Sequence, residues 1–303
     1  MVVSQIALSQ EGPTCSRFVL GVWRMAQWGM DCTEILDFIQ ACLNLGITTF
    51  DHADIYGDYT CEQLFGDALA NMPSLRSQMQ LVTKCGIKLV SKNRPTHRIK
   101  HYDTRAVHIL ASVEHSLQQL RTDYIDLLLI HRPDPLMDAD EVATAFNHLR
   151  QSGQVLHFGV SNFMPRQFNL LASRLDFPLV TNQLEISVSH LAAFEDGTLE
   201  QCQQLRISPM AWSPFVGGRL FQGMDEQSVR LREALIGVAN ELGEATLDQV
   251  ALAWLLAHPA KIVPVIGTGK IDRIKSAIAS HALELSLQQW FAIWSASTGE
   301  AVP

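Results

Sequence analysis

ITTFDHADIYG, residues 47–57, runs from a short apolar segment straight into two ionisable side chains, Asp51 and Tyr56. The same happens in LVTKCG (81–86), which ends around Lys84, and in LLLIHRPD (127–134), which breaks off at His131. Each run is short, rich in β-branched residues or Leu, and without clear polar alternation, as expected of strands buried on both faces of a parallel sheet. Ionisable groups at the carboxyl ends of such strands sit at the mouth of the sheet or barrel, the face that carries the chemistry in a (β/α)8 barrel.

Working outward, strand and helix patterns alternate with little interruption. QIALSQ and SRFVLGVW flank a turn-rich EGPTC and read as an N-terminal hairpin leading into the first barrel strand. Helical patterns then precede ITTFDHA, MQLVTKCG, YIDLLLIH, VLHFGVSN, LVTNQLEI, SPMAWSPF and IVPVIGTG. With SRFVLGVW these make about eight strand candidates, the number of a (β/α)8 barrel. An open doubly wound sheet would show an early GxGxxG turn, and none exists; GTGK at 267–270 has neither the spacing nor the position. The expected architecture is α/β, a single (β/α)8 TIM barrel spanning 1–303 with additional C-terminal helices.

Composition narrows the function. The chain has 303 residues, 47% hydrophobic and 18% charged, enough for a large core. A formal charge of -8 argues against nucleic acid, whose binding rests on Lys and Arg neutralising phosphates. No signal-peptide pattern opens the chain and no apolar run reaches membrane-span length, so no membrane partner and a cytoplasmic location are expected. The six cysteines form no CxxC pair and the eleven histidines no HExxH, so neither a disulfide framework nor a metal site is expected. Nothing specifies an oligomer, and a monomer is expected.

The four ionisable residues form a chemically coherent set. A tyrosine titrates near 10, so acting as a general acid near neutrality calls for a cation that stabilises the phenolate left behind. Lys84 suits that role, Asp51 can hold the ammonium, and His131 can hydrogen-bond and orient a substrate oxygen. Such a set protonates a developing alkoxide.

With DHADIYG, LLLIHRPDPL and HFGVSNF in view, the chain resembles the aldo/keto reductase superfamily, closest to its bacterial predicted oxidoreductases, over nearly its whole length. The resemblance implies hydride transfer from NADPH to a small-molecule aldehyde or ketone, with Asp51, Tyr56, Lys84 and His131 as tetrad and Tyr56 as proton donor. It also implies cofactor contacts from Gly21, Val22 and Trp23 of GVW, from Asp51, and from Ser161, Asn162 and Gln183 at the nicotinamide carboxamide. Trp212 stands where many relatives carry a Tyr that stacks on the nicotinamide. Ser213, Pro214, Gly217, Gly218, Arg219 and Leu220 match the strap along the pyrophosphate, where the glycines allow close backbone approach. Gly267, Thr268, Lys270 and Arg273 match the clasp of the adenosine 2'-phosphate, and two cations there favour NADPH over NADH. The chain departs from the family pattern at Gly267, where a Lys is common, at Ala277, where a polar residue usually meets adenine, and at His52, which replaces the usual Thr or Ser.

Each residue alone has a blander reading: a helix cap for the Asp, a snorkelling Lys, a turn His satisfied by backbone. What argues for chemistry is the coincidence of four acid–base types at strand ends. Trp23 and Trp28 are expected to line a substrate wall beside Tyr56 and His131, and Trp290 with Trp294, spaced i,i+4, to form a packing stripe. The cationic run 88–105 reads as a solvated loop, with a lid that recruits anionic substrates as the sharper alternative. Two rival functions are an NADPH-binding regulatory or partner subunit with little turnover, and a cofactor-free phosphate-binding barrel.

Overall fold

The computed structural model describes residues 3–243 and 245–302. A two-stranded hairpin, β1 (Gln5–Ala7) with β2 (Thr14–Ser16), precedes the first barrel strand β3 (Val19–Gly21). The chain continues through α1 (Cys32–Asn44), β4 (Thr49–Asp51), a helical turn α2 (Tyr56–Tyr59), α3 (Cys61–Leu69) and β5 (Gln80–Cys85). A second small hairpin, β6 (Ile87–Lys88) with β7 (His101–Tyr102), leads to α4 (Ala106–Leu120), β8 (Ile125–Ile130), α5 (Ala139–Gln151) and β9 (Val155–Ser161). There follow α6 (Pro165–Ala172), β10 (Leu179–Glu185), α7 (Thr198–Leu205) and β11 (Met210–Trp212). The chain finishes with α8 (Arg219–Gln222), α9 (Glu226–Glu241), α10 (Leu247–Leu256), β12 (Val263–Ile266), α11 (Ile271–Ala279) and α12 (Leu287–Thr298).

The strands β3, β4, β5, β8, β9, β10, β11 and β12 close in that order into a barrel, every pairing parallel and β12 returning to β3. This is the (β/α)8 architecture read from the alternating pattern. The hairpin is present too, with a shifted second strand. Thr14–Ser16 pairs with Gln5–Ala7, and SRFVLGVW instead supplies the barrel strand. The reason is visible in the core, where Leu8 and Cys15 pack with Val19, Val82, Val180 and Val263. The hairpin thereby plugs the amino-terminal end of the barrel and leaves the opposite mouth open.

Helix starts follow local chemistry. At α1 the Asp31 carboxylate accepts from the Glu34 amide at 2.9 Å while Glu34 accepts from the Asp31 amide at 2.8 Å, a capping box. Asp138 caps α5 and Asp225 caps α9 in the same spirit. Two helices that back the site, α3 and α4, approach so closely that a Cβ on Gly66 would collide with the Gln119 carbonyl oxygen, so glycine is required there. The last helix packs as its i,i+4 tryptophans suggest. Trp254 and Trp290 stack at 4.7 Å and each indole donates to the other's carbonyl at 3.1 Å, with Trp294 alongside. Among the described residues no helix is long and apolar enough to cross a membrane.

Candidate active site

Parallel strands deliver their last residues to one end of the barrel, and that is where the expected residues sit. Gly21, Asp51, Ser161 and Trp212 are the final residues of β3, β4, β9 and β11, while Lys84 is next to last in β5 and His131 follows β8 directly. All but Lys84, which lies buried beneath, line a cavity of about 410 Å³, a size ordinary for small-ligand sites.

At its floor lies a buried ion pair. The Lys84 ammonium donates to both Asp51 carboxylate oxygens at 2.8 and 2.7 Å, to the His52 carbonyl at 2.7 Å and to the Tyr56 hydroxyl at 3.1 Å. Burial works against the charge on Lys84, but Asp51 and Tyr56 outweigh it and its pKa lies above the ordinary value. Burial also pushes the Tyr56 phenol up, with Lys84 as the largest opposing influence. Lys84 thus moderates the rise without reversing it. The His131 ring stands edge-on to Tyr56 at 5.9 Å, makes no side-chain hydrogen bond among the described residues, and has a buried Nδ1 without a partner. Burial, then the charges of Lys84, Arg132 and Lys100, hold it well below its usual pKa, so it is a neutral imidazole.

The wall beside this floor is organised by hydrogen bonds. Gln183 donates to Asp51 at 2.8 Å, Asn162 donates to the Ser161 hydroxyl at 2.7 Å, and the Trp212 indole donates to the Asn162 side-chain oxygen at 3.0 Å. Asn162 and Ser213 are left-handed, with φ of 61° and 52°, as are Val216, Gly217 and Gly218 beyond them. This backbone curls along the rim. A Cβ on Gly218 would meet nothing within 4 Å, and one on Gly217 would reach Arg24 at 3.4 Å, so the strap presents bare backbone to open space.

Of the residues expected at the cofactor, Gly21, Trp23, Asp51, Ser161, Asn162 and Gln183 line the cavity, as do Trp212, Ser213, Pro214, Gly217 and Gly267. Others do not. Val22, just past β3, and Leu220, in α8, are buried in the hydrophobic core, their side chains packed among apolar neighbours instead of facing the mouth. Gly218, Arg219, Thr268, Lys270 and Arg273 lie outside the cavity lining; Lys270 caps α11 and, with Arg273, is exposed. Trp23 lines the cavity, but Trp28, expected on the same wall, packs edge-on against Phe38 at 5.3 Å and over Gly269, which has no side chain to exclude it.

Sequence reasoning missed several lining residues: Arg24, Ile55, Ile87, Lys100, Arg132 and Phe215. Position offered a signal for two of them, since Arg132 follows His131 and Lys100 lies in the cationic run 88–105.

Behind the ion pair is a second buried group of polar residues. Glu62 on α3 accepts from Thr83 at 2.6 Å and from Ser116 at 2.9 Å, and Asp54 accepts from Ser112 at 2.9 Å. Burial raises both carboxyls, Asp54 to about 8 with Glu62 adding to the rise, and Glu62 to about 7. His52, whose substitution for Thr or Ser had no reading in sequence, is wholly buried with both ring nitrogens unpartnered, edge-on to Phe65 at 4.6 Å. Burial takes its pKa to about 3, so it is neutral.

A carboxyl raised on folding binds its proton more tightly in the folded state. Its contribution to stability is complete below the unfolded value near 4 and is lost as pH climbs through 7 to 8, at no more than about 1.4 kcal/mol per pH unit for each group. Asp54→Asn removes one such proton. Its melting temperature is therefore expected to fall less steeply than wild type between about pH 5 and 8; parallel curves from scanning calorimetry would contradict the assignment.

The fold and this end of it define a class, a (β/α)8 barrel with a buried Asp–Lys–Tyr array and a neutral His opening on a ligand-sized cavity. Comparison with known proteins agrees. The model of the aldo/keto reductase family matches residues 17–297. The chain is 54% identical to "Uncharacterized oxidoreductase YcsN" of Bacillus subtilis (strain 168), over 95% of this chain and 96% of that protein. It is 46% identical to "6-dehydroglucose reductase" of Agrobacterium fabrum (strain C58 / ATCC 33970), over 99% and 100%. Its structure resembles that of the thermostable aldo-keto reductase Tm1743 solved with the inhibitor epalrestat, with a TM-score of 0.81 at 27% identity, covering 97% and 99% of the two chains. The chain belongs to the aldo/keto reductase family and is an oxidoreductase of that family.

Proposed function

We propose that this protein reduces aldehydes or ketones to alcohols with NADPH, Tyr56 being the general acid. The observation that carries the reading is the Tyr56 hydroxyl, 3.1 Å from an ammonium that Asp51 grips through both oxygens, at the floor of a cavity open to ligands.

The residues present suit a nicotinamide cofactor. The side-chain oxygen of Gln183 accepts no hydrogen bond from the described residues, which leaves it free for a carboxamide NH2, and the Ser161–Asn162–Trp212 chain holds an indole at the cavity wall. The glycine strap at 217–218 leaves room for a pyrophosphate, and Thr268, Lys270 and Arg273 supply a hydroxyl and two cations for a 2'-phosphate. When bound, the nicotinamide supplies the hydride that reduces the carbonyl carbon.

The chain's own residues do the rest. His131, neutral and with no side-chain partner among the described residues, hydrogen-bonds the carbonyl oxygen and orients it. Tyr56 gives that oxygen its proton as negative charge develops, and Lys84 stabilises the phenolate across the same short contact. Asp51 keeps Lys84 charged and aimed, while Trp23, Ile55 and Phe215 provide an apolar surround.

Consumption of NADPH by purified protein against a panel of aldehydes, dicarbonyls and ketones tests the activity directly. Tight NADPH binding without turnover on any carbonyl would favour the regulatory-subunit reading. For the clasp, Lys270→Gln and Arg273→Gln are each expected to raise KM for NADPH by about 10- to 100-fold, the worth of a charge-assisted hydrogen bond. KM for NADH should move little. Equal losses with both cofactors would remove the 2'-phosphate from the assignment.

A further inference from the structure

One side of the cavity mouth carries two cations that form no ion pair among the described residues. Arg132, half-buried, and Lys100, from the segment between β6 and β7, both line the cavity beside His131. Among the described residues neither forms an ion pair or a side-chain hydrogen bond. Asp103, three residues beyond Lys100, is bound by Lys88 at 3.1 Å and Arg105 at 2.8 Å, and Asp134, two residues beyond Arg132, turns its carboxylate oxygens to Thr104 at 3.0 Å and to the Leu136 amide at 2.8 Å rather than to Arg132. Asp51, the one acid lining the cavity, is neutralised by Lys84. All this occurs on a chain with eight more acidic than basic side chains, where two unpaired cations on one wall run against the overall balance.

Position sets Arg132 apart from the pyrophosphate side of the cavity. Arg24, a third cation, stacks on Trp23 at 5.0 Å and faces Gly217 of the strap, on the pyrophosphate side. Arg132 instead lies 5.2 Å from the centre of the Trp212 ring and next in sequence to His131, at the end where the carbonyl is handled. The ring steadies the guanidinium, whose planar fork matches a pair of carboxylate or phosphate oxygens.

We propose that the substrate is a carbonyl compound bearing an anionic group, a carboxylate or phosphate, which Arg132 and Lys100 bind while the carbonyl oxygen lies between Tyr56 and His131. The inference rests on the reductase reading. It gives the segment 88–105 a role in recruiting anionic substrates, by charge placed at the mouth.

Matched substrate pairs that differ in charge test it: succinic semialdehyde against butanal, and glyceraldehyde 3-phosphate against glyceraldehyde, each with NADPH. The expected result is a kcat/KM about 10- to 100-fold higher for the anionic member of at least one pair, the range of a charge-assisted hydrogen bond. Which pair shows it distinguishes carboxylate from phosphate. In Arg132→Gln and in Lys100→Gln the anionic-to-neutral ratio should fall about tenfold, and Arg132→Lys should restore most of it by returning the charge. Turnover of all four aldehydes without charge preference, or a ratio unmoved by the Gln variants, overturns the anion subsite and leaves the reductase standing. No turnover on either member of any pair overturns the anion subsite, and the reductase reading falls with it only where the wider panel of dicarbonyls and ketones is inert too.

Discussion

Tyr56→Phe is expected to lower turnover of any carbonyl by about 10²- to 10⁴-fold, the usual contribution of a positioned general acid. The ring that remains fills the same volume and keeps its edge-on contact with His131 at 5.9 Å, so the cavity should survive. What goes is the proton, and with it the 3.1 Å contact to Lys84. NADPH titrated into the variant should still quench tryptophan fluorescence, because Trp212 and the other residues proposed to hold the nicotinamide are untouched. A variant that bound NADPH and kept more than a tenth of wild-type turnover would move the acid away from Tyr56.

Breaking the pair beneath it should have the larger effect on the molecule as a whole. Lys84 and Asp51 are almost completely buried, with side-chain exposures of 1% and 3%. Lys84→Met strands the Asp51 carboxylate with only Gln183 for company, and removing one partner of a buried ion pair typically costs about 3–5 kcal/mol. Asp51→Asn strands the ammonium in the same way. Replacing both together removes the desolvated charges in one step, so the double variant should regain much of the stability lost by either single one. Lys84→Met and the double variant should be inactive, because Tyr56 loses the cation that would stabilise its phenolate, and Asp51→Asn should be strongly impaired, because the ammonium loses the carboxylate that holds it. Urea unfolding of the four proteins measures this cycle; single variants within about 1 kcal/mol of wild type would mean the pair is less isolated from water than its burial indicates.

The separate fates of site and stability in that cycle follow from where the chain places its charges. Strand ends were legible from local pattern: β-branched and Leu-rich runs buried on both faces have to stop where the barrel stops, and Asp51, Lys84 and His131 mark those stops. The eight-strand count needed only the alternation of strand and helix, which is why closure of β12 onto β3 was foreseeable. Elements of two or three residues were harder. The second hairpin strand falls on Thr14–Ser16 rather than on the more apolar SRFVLGVW, since pairing there buries Leu8 and Cys15 against the barrel's end. The hairpin β6–β7 has two residues a side, too short for any periodicity to register.

Residue type and order alone therefore determined the architecture and which ionisable residues fall at the strand ends, because those depend on patterns within ten or so residues and on the strict geometry of parallel strands. Tertiary structure decided which neighbours those residues received. It put Trp28 on Gly269 rather than in the cavity, turned Val22 and Leu220 into core, buried His52 without a partner, and carried Lys100 to Arg132 at the mouth. Lys100 and Arg132 are far apart in the chain, and no local pattern records that two such residues share a wall with neither paired to an acid among the described residues. Burial and charge pairing are properties of the assembled barrel, since both depend on what every other strand and loop leaves exposed.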